Sequence, residues 1–238
     1  MQSQQSQSAR KPRADGIQAR ERILSAALAL FVERGYASTP VRDIAHAAGV
    51  NIAAIAYYFG DKAGLYRAAL FEPVHGAAES VPPFDAPGLT LHEALLLYMR
   101  TCLQPLAQGA DTLLSVRLRF RESFEPTGML QEEHGIREQM HARLLSVLQR
   151  HLGLAAPDRE LQALAVSVFA LIAYPYHGRE KIRAADPGLL DAPDAIAAWA
   201  ERLAGYAGAM VGFEAARRGI ATPITPSSIN PVTPGSAP

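Results

Sequence analysis

Apolar residues recur every three or four positions through most of the chain. From Ala19 to Arg34 they fall at Ile23, Ala26, Ala27, Leu30 and Phe31, the period of a helix with one buried stripe. Gly35 follows directly, where a helix-ending glycine belongs. Thr39 and Pro40 read as the N-cap and first residue of a short second helix that ends at Gly49. Asn51 can cap a third helix reaching Phe59, and Asp61 a fourth starting at Lys62, which Pro73 ends or kinks. The stretch 80–90, with Pro82, Pro83, Pro87 and Gly88, reads as a loop. Beyond it, helices are expected over about 90–108, 111–124, 130–152, 157–182 and 193–218, with breaks at Gly153, Pro157, Pro187 and Pro193. No run alternates with period two, so the pattern predicts an all-α fold.

The two ends differ from this body. Residues 1–16 are polar and read as a disordered basic arm. Residues 220–238 carry prolines at 223, 226, 231, 234 and 238 and read as a disordered tail. The single cysteine, Cys102, excludes an intrachain disulfide and a cysteine-based zinc site, and suits a reducing, cytoplasmic setting. The polar start lacks the apolar core of a secretory signal. The most apolar stretch, Ala163 to Tyr176, is too short to span a bilayer, so no membrane partner is expected. The formal net charge of zero hides an asymmetry: residues 1–70 hold nine Lys/Arg against five Asp/Glu, and the remainder is acidic by the same margin. A basic first third suggests a module that meets a polyanion.

The segment Val41–Tyr58 carries the chemistry. Two helices crossing steeply need a small side chain at the crossing, which Ala45 supplies, and a turn residue that tolerates positive φ, which Gly49 supplies. Ile44, Ala48, Val50 and Ile55 are spaced to hold the pair against a first helix. This is a helix-turn-helix pattern; by spacing alone it also fits a helical hairpin inside an all-α bundle.

From Arg20 to Leu70 the chain resembles the TetR family of bacterial transcriptional regulators. The matching residues are Phe31…Gly35-Tyr36, Thr39-Pro40-Val41-Arg42-Asp43-Ile44-Ala45, Ala48-Gly49-Val50, and Tyr57-Tyr58-Phe59-Gly60-Asp61-Lys62 followed by Leu65. Arg121-Glu122…Pro126 and the run Asn51-Ile52-Ala53-Ala54-Ile55 resemble a CecR-like subgroup. The resemblance implies a three-helix helix-turn-helix domain over 17–72 and a helical ligand-binding and dimerisation domain over 73–219. It implies phosphate contacts from Thr39, Arg42, Tyr58 and Lys62, and a recognition helix Asn51–Tyr57 in the major groove of double-stranded, palindromic operator DNA. Ala56 stands where many members have tyrosine, which removes one expected contact. Base readout is then expected from Asn51 and Tyr57, from thymine-methyl contacts of Ala53, Ala54 or Ala56, and from DNA shape.

Ile196, Trp199, Leu203, Tyr206, Met210 and Phe213 are spaced 3, 4, 3, 4, 3, a heptad seam that fits either an internal core helix or a homodimer interface. The resemblance favours the dimer, since these repressors pair by their last two helices. For a small-molecule effector, the candidates are Arg117, Phe120, Arg121, Met140, His141, Phe169, Tyr176 and His177, apolar walls with a few polar groups. An arginine inside a helical bundle needs a partner, and Glu122 or Glu125 can supply one in place of a ligand. Glu72-x-x-His75, Glu138-x-x-His141 and the His134/His141 pair have spacings seen in metal sites, but solvated charge is the better reading, so no metal or cofactor is expected. No nucleophile or phosphate-loop motif occurs. The function these features point to is a ligand-responsive DNA-binding repressor released from its operator by a small molecule, and not an enzyme. The competing reading is an all-α enzyme or carrier with an incidental helix-turn-helix.

Overall fold

The computed structural model describes residues 10–74, 81–108, 110–132, 135–192 and 194–220. The periodic stretches form α1 (Arg10–Arg34), α2 (Val41–Ala48), α3 (Ile52–Phe59), α4 (Lys62–Phe71), α5 (Leu91–Leu103), α6 (Ala110–Phe124), α7 (Gly135–His151), α8 (Arg159–His177), α9 (Arg179–Ala185), α10 (Gly188–Asp191) and α11 (Ala195–Arg217). No strand occurs among the described residues. No single helix among them is long and apolar enough to cross a membrane.

Several boundaries differ from expectation, each for a local reason. Helix α1 begins at Arg10, so residues 10–16 are helical instead of a disordered arm; Pro12 lies in the first turn, where a missing N–H costs nothing. Residues 1–9 of the expected arm and 221–238 of the expected tail lie outside the described residues, as do His75 and His134. Helix α2 starts one residue later than the sequence suggested: Pro40 is the N-cap and makes no side-chain cap. The Thr39 hydroxyl turns inward and donates to the carbonyls of Gly35 (2.7 Å) and Leu30 (3.3 Å), closing the end of α1. The expected helix 157–182 is bent by 76° between α8 and α9, while Pro175 stays inside α8.

Two apolar cores result. Ile23, Leu28, Phe31, Ile44, Ile55, Leu65 and Leu70 are buried in the first, each worth roughly 1.5–3 kcal/mol relative to exposure. Gly49, at φ 64°, makes the left-handed turn that sends α3 across α2. The second core is built from α5, α7, α8 and α11, with Leu95, Met99, Leu148, Val168 and Val211 at its centre. Helix α6 joins the two. Leu118 is buried in the first core, whereas Val116 and Phe120 pack against the second. The expected domain boundary near residue 72 is therefore crossed by packing, although the chain itself passes there.

Candidate nucleic-acid interface

Helix α3 is held by one buried side chain, Ile55, with Ala54 partly covered. Asn51 caps it, its Oδ1 accepting from the Ala53 N–H at 3.0 Å. That leaves Asn51, Ile52, Ala53, Ala56 and Tyr57 facing outward, with Tyr57 81% exposed and Ile52 52% exposed. The Tyr57 and Tyr58 rings meet edge-on at 4.9 Å, and Tyr58 is half-buried with its hydroxyl close to α1 at Gly16.

Cations flank this face. The Arg42 side chain is 80% exposed, 3.5 Å from Asp43. Lys62 opens α4, capped by Asp61, and its ammonium lies 4.5 Å from the centroid of the Tyr36 ring. Partial burial pulls its pKa below the usual lysine value. The ring holds the ammonium at this edge of the face. Thr39 is fully buried with its hydroxyl bonded internally, which corrects its expected phosphate contact: the side chain supports α1 and α2 from beneath. Ile52 is the exposed residue on this face that sequence reasoning passed over. Its signal was a large apolar residue directly after a helix cap.

Behind the interface an aromatic chain leads to α6. Tyr36 packs edge-on to Tyr66 at 4.9 Å, and Phe31 does so at 4.8 Å. The Tyr66 hydroxyl donates to buried Glu122 on α6 at 2.7 Å. Burial and this carboxylate push the Tyr66 pKa well above that of a free phenol. Glu122 also accepts from the Thr127 N–H and hydroxyl. The buried Ser115 hydroxyl donates to the Leu70 carbonyl at 2.9 Å. Arg121 is held by Glu125 at 2.8–3.1 Å and donates to the Val32 carbonyl at 3.2 Å. Its expected ligand role is thereby corrected: it ties α6 to α1.

The remaining effector candidates divide into separate places. Phe120 meets Phe169, Tyr176 and His177, with centroids 5.9, 5.3 and 5.0 Å away, and Arg117 lies one turn earlier on α6. Tyr176 is buried and its hydroxyl donates to the Cys102 carbonyl at 2.6 Å, so it is a packing residue. Burial pushes the Cys102 thiol up to about 12, which makes it inert. His141 pairs with Gln162 at 3.1 Å, about 22 Å along α8 from His177 by helix rise. Met140 packs against the second core. These two are corrected out of a common site with His177. No group of three metal-ligating side chains occurs among the described residues.

The heptad seam on α11 also divides. Leu203 is buried, which corrects its place in an intermolecular seam, while Ile196, Trp199 and Met210 are half-buried against their own core and keep part of their surface outward. Small residues Ala200, Ala204, Ala207 and Ala215 let α5 approach and set which stripe turns inward. Tyr206 (54%) and Phe213 (71%) stay exposed, beside Val166 (59%) and Tyr174 (56%) of α8. A groove of about 510 Å³ runs between the two helices, lined by Ala163, Leu164, Ser167, Ala209, Met210 and Phe213.

The model of bacterial regulatory proteins of the tetR family matches residues 23–69, the span of the first core. The model of the C-terminal domain of the HTH-type transcriptional dual regulator CecR matches residues 91–212, about half of the chain. The chain belongs to the TetR family. Within it, the chain is 33% identical to the dual regulator CecR of Shigella flexneri over 161 residues, covering 61% of this chain and 70% of that one. Among solved TetR structures, a regulator from Bordetella parapertussis superposes with a TM-score of 0.61 at 20% identity, covering 79% of this chain and 93% of the other. AibR, solved in complex with isovaleryl coenzyme A and operator DNA, gives 0.59 at 18% identity, covering 79% and 97%. The TetR family is one of transcriptional regulators, and the helix-turn-helix lies where the family model aligns.

Proposed function

We propose that the protein is a homodimeric, cytoplasmic, effector-responsive repressor that binds a palindromic operator through α3 and performs no catalysis. The observation that carries the reading is the outward face of α3: five side chains from Asn51 to Tyr57 face solvent, flanked by Arg42 and Lys62. An α-helix fits the major groove, where Asn51 and Tyr57 meet base edges, Ala53 and Ala56 meet thymine methyls, and Arg42, Tyr58 and Lys62 hold phosphates. AibR, bound to an acyl coenzyme A and operator DNA, supports the effector part by analogy of fold.

Two copies pair through the exposed faces of α8 and α11, with Tyr206, Phe213, Val166 and Tyr174 at the contact. Two α3 helices then reach successive half-sites one helical turn apart. Effector binding beside α6 acts on the DNA end through Tyr66–Glu122 and Arg121–Val32, and shifts the equilibrium only by its differential affinity for the two states.

The test begins with selection of bound genomic fragments by the purified protein, which supplies the operator. Lys62→Ala then lowers affinity for operator and random duplex by the same factor, and reduces the log–log salt slope by about one per half-site. Tyr57→Phe, which removes only a hydroxyl, narrows the gap between operator and random DNA. Unchanged affinity and slope in Lys62→Ala would falsify the phosphate role. Phe213→Asp places a charge in the paired face and yields a monomer in sedimentation; an intact dimer moves the interface elsewhere.

A further inference from the structure

Cationic groups converge where α6, α8 and α9 meet. Helix α8 ends at His177, and the chain turns at Gly178 into α9, which opens with Arg179. The His177 ring lies edge-on to Phe120 and Phe124 of α6, centroids 5.0 and 5.3 Å away. Arg117 precedes Phe120 by one helical turn on the same face. The Arg179 side chain is only 13% exposed, and its Nη1 is buried with no hydrogen-bond partner among the described residues. Asp191 is 3.8 Å from Arg179 but accepts from Arg183 at 2.7–3.2 Å. Glu180, the other carboxylate acting on Arg179, is largely exposed and 3.9 Å from Arg183. Arg117 has no hydrogen bond or ion pair with another described residue. Burial, then Arg183 and Arg117, lower the Arg179 pKa; burial, then Arg117, lower that of His177. A desolvated cation beside a second cation, with a donor left unmade, is costly as it stands. An anion between the two guanidiniums removes both costs.

We propose that Arg117 and Arg179 form the anion-binding end of the effector site, and that the effector is a small organic carboxylate whose apolar body lies on Phe120 and Phe124. The inference rests on the reading of the chain as an effector-responsive regulator. Guanidinium forks match a carboxylate in two parallel hydrogen bonds, and the aromatic rings accept a flat or acyl body. Phe124 is 74% exposed, which leaves the site open to solvent on that side.

The experiment uses the full chain and follows thermal unfolding with about 5 mM benzoate, cinnamate or octanoate, each beside its uncharged amide. At least one carboxylate raises Tm by about 3 °C while its amide does not. Arg117→Gln abolishes that rise. Arg179→Met also abolishes it, and without ligand unfolds no lower than the parent, because a buried cation with an unmade donor is gone. Arg117 is half-buried, so Arg117→Gln keeps the test intact if Arg179→Met fails to fold. The proposal is overturned if no carboxylate raises Tm, if the amides do so equally, if Arg117→Gln retains the rise, or if inorganic phosphate alone matches it. Operator binding by the ligand-free parent is measured separately: its absence sinks the regulator reading whatever the Tm values. A carboxylate that raises Tm yet leaves operator affinity unchanged overturns the effector role.

Discussion

The DNA-reading end holds its shape through close backbone approaches, while the opposite end holds its shape through broad packing of interchangeable apolar side chains. In the first, α2 to α4 are each only eight to ten residues long, and their mutual angles depend on the turns between them. In the second, α8 and α11 run for 19 and 23 residues, and many Leu, Val and Ala contacts share the load. Short helices with sharp turns tolerate little change at the turn, and long helices tolerate much. The difference predicts where a single methyl group is decisive and where it is not.

The largest effect is expected at Gly64. A Cβ there would lie 2.1 Å from the Phe59 carbonyl oxygen, a backbone atom that cannot move without unwinding the end of α3. Gly64→Ala should destabilise the chain by about 3 kcal/mol or more and abolish DNA binding. Chemical denaturation and operator titration check it. Normal stability would mean that the α3–α4 junction is as yielding as the far end, and the comparison would fail.

The same contrast explains what was legible in the sequence. The turns and caps of the first domain demand particular residue types, so Gly35, Gly49, Asn51 and Asp61 announce their places. Thr39 misled because its hydroxyl has two competing uses, capping α2 or closing α1, and only the packing of α1 decides between them. In the second domain helices were readable but their orientation was not. A heptad spacing on α11 fits several stripes, and the alanines that bring α5 close decided which stripe turned inward. Arg121 and Arg117 are four residues apart and look alike in sequence. One is bonded to Glu125 and α1; the other makes neither bond and acts on His177 and Arg179 only through its charge, across chain separations that no local pattern encodes.

A smaller effect is expected at the joint between the two regions. Tyr66→Phe deletes the hydroxyl that donates to buried Glu122 and leaves that carboxylate with Thr127 alone. The cost should be about 1–3 kcal/mol, the range for a buried acceptor losing a donor. The outer face of α3 is untouched, so operator affinity without effector should change little. The effector concentration needed for release should rise, because Tyr66 links the aromatic chain under Lys62 to α6. An unchanged effector response with the full loss of stability would make the bond structural only. The two regions would then communicate through Leu118 or Arg121.

The smallest effect, and one whose sign depends on assembly, is at Gly205. It lies on the exposed side of α11, and a Cβ added there meets nothing within 4 Å. Within one chain nothing requires glycine at this position, and alanine is favoured in a helix interior by about 1 kcal/mol. Gly205→Ala in a monomeric Phe213→Asp background should therefore raise the denaturation midpoint. Under the pairing proposed above, the same methyl group enters the face that carries Tyr206 and Phe213, where a bare backbone would let the second copy approach. There the substitution should weaken pairing, read as dissociation at higher protein concentration in sedimentation. Equal stabilisation in both backgrounds would place Gly205 outside the contact and move the pairing face toward Val166 and Tyr174 on α8. Opposite signs would show that the long-helix end also has a point of close backbone approach, located between chains instead of within one.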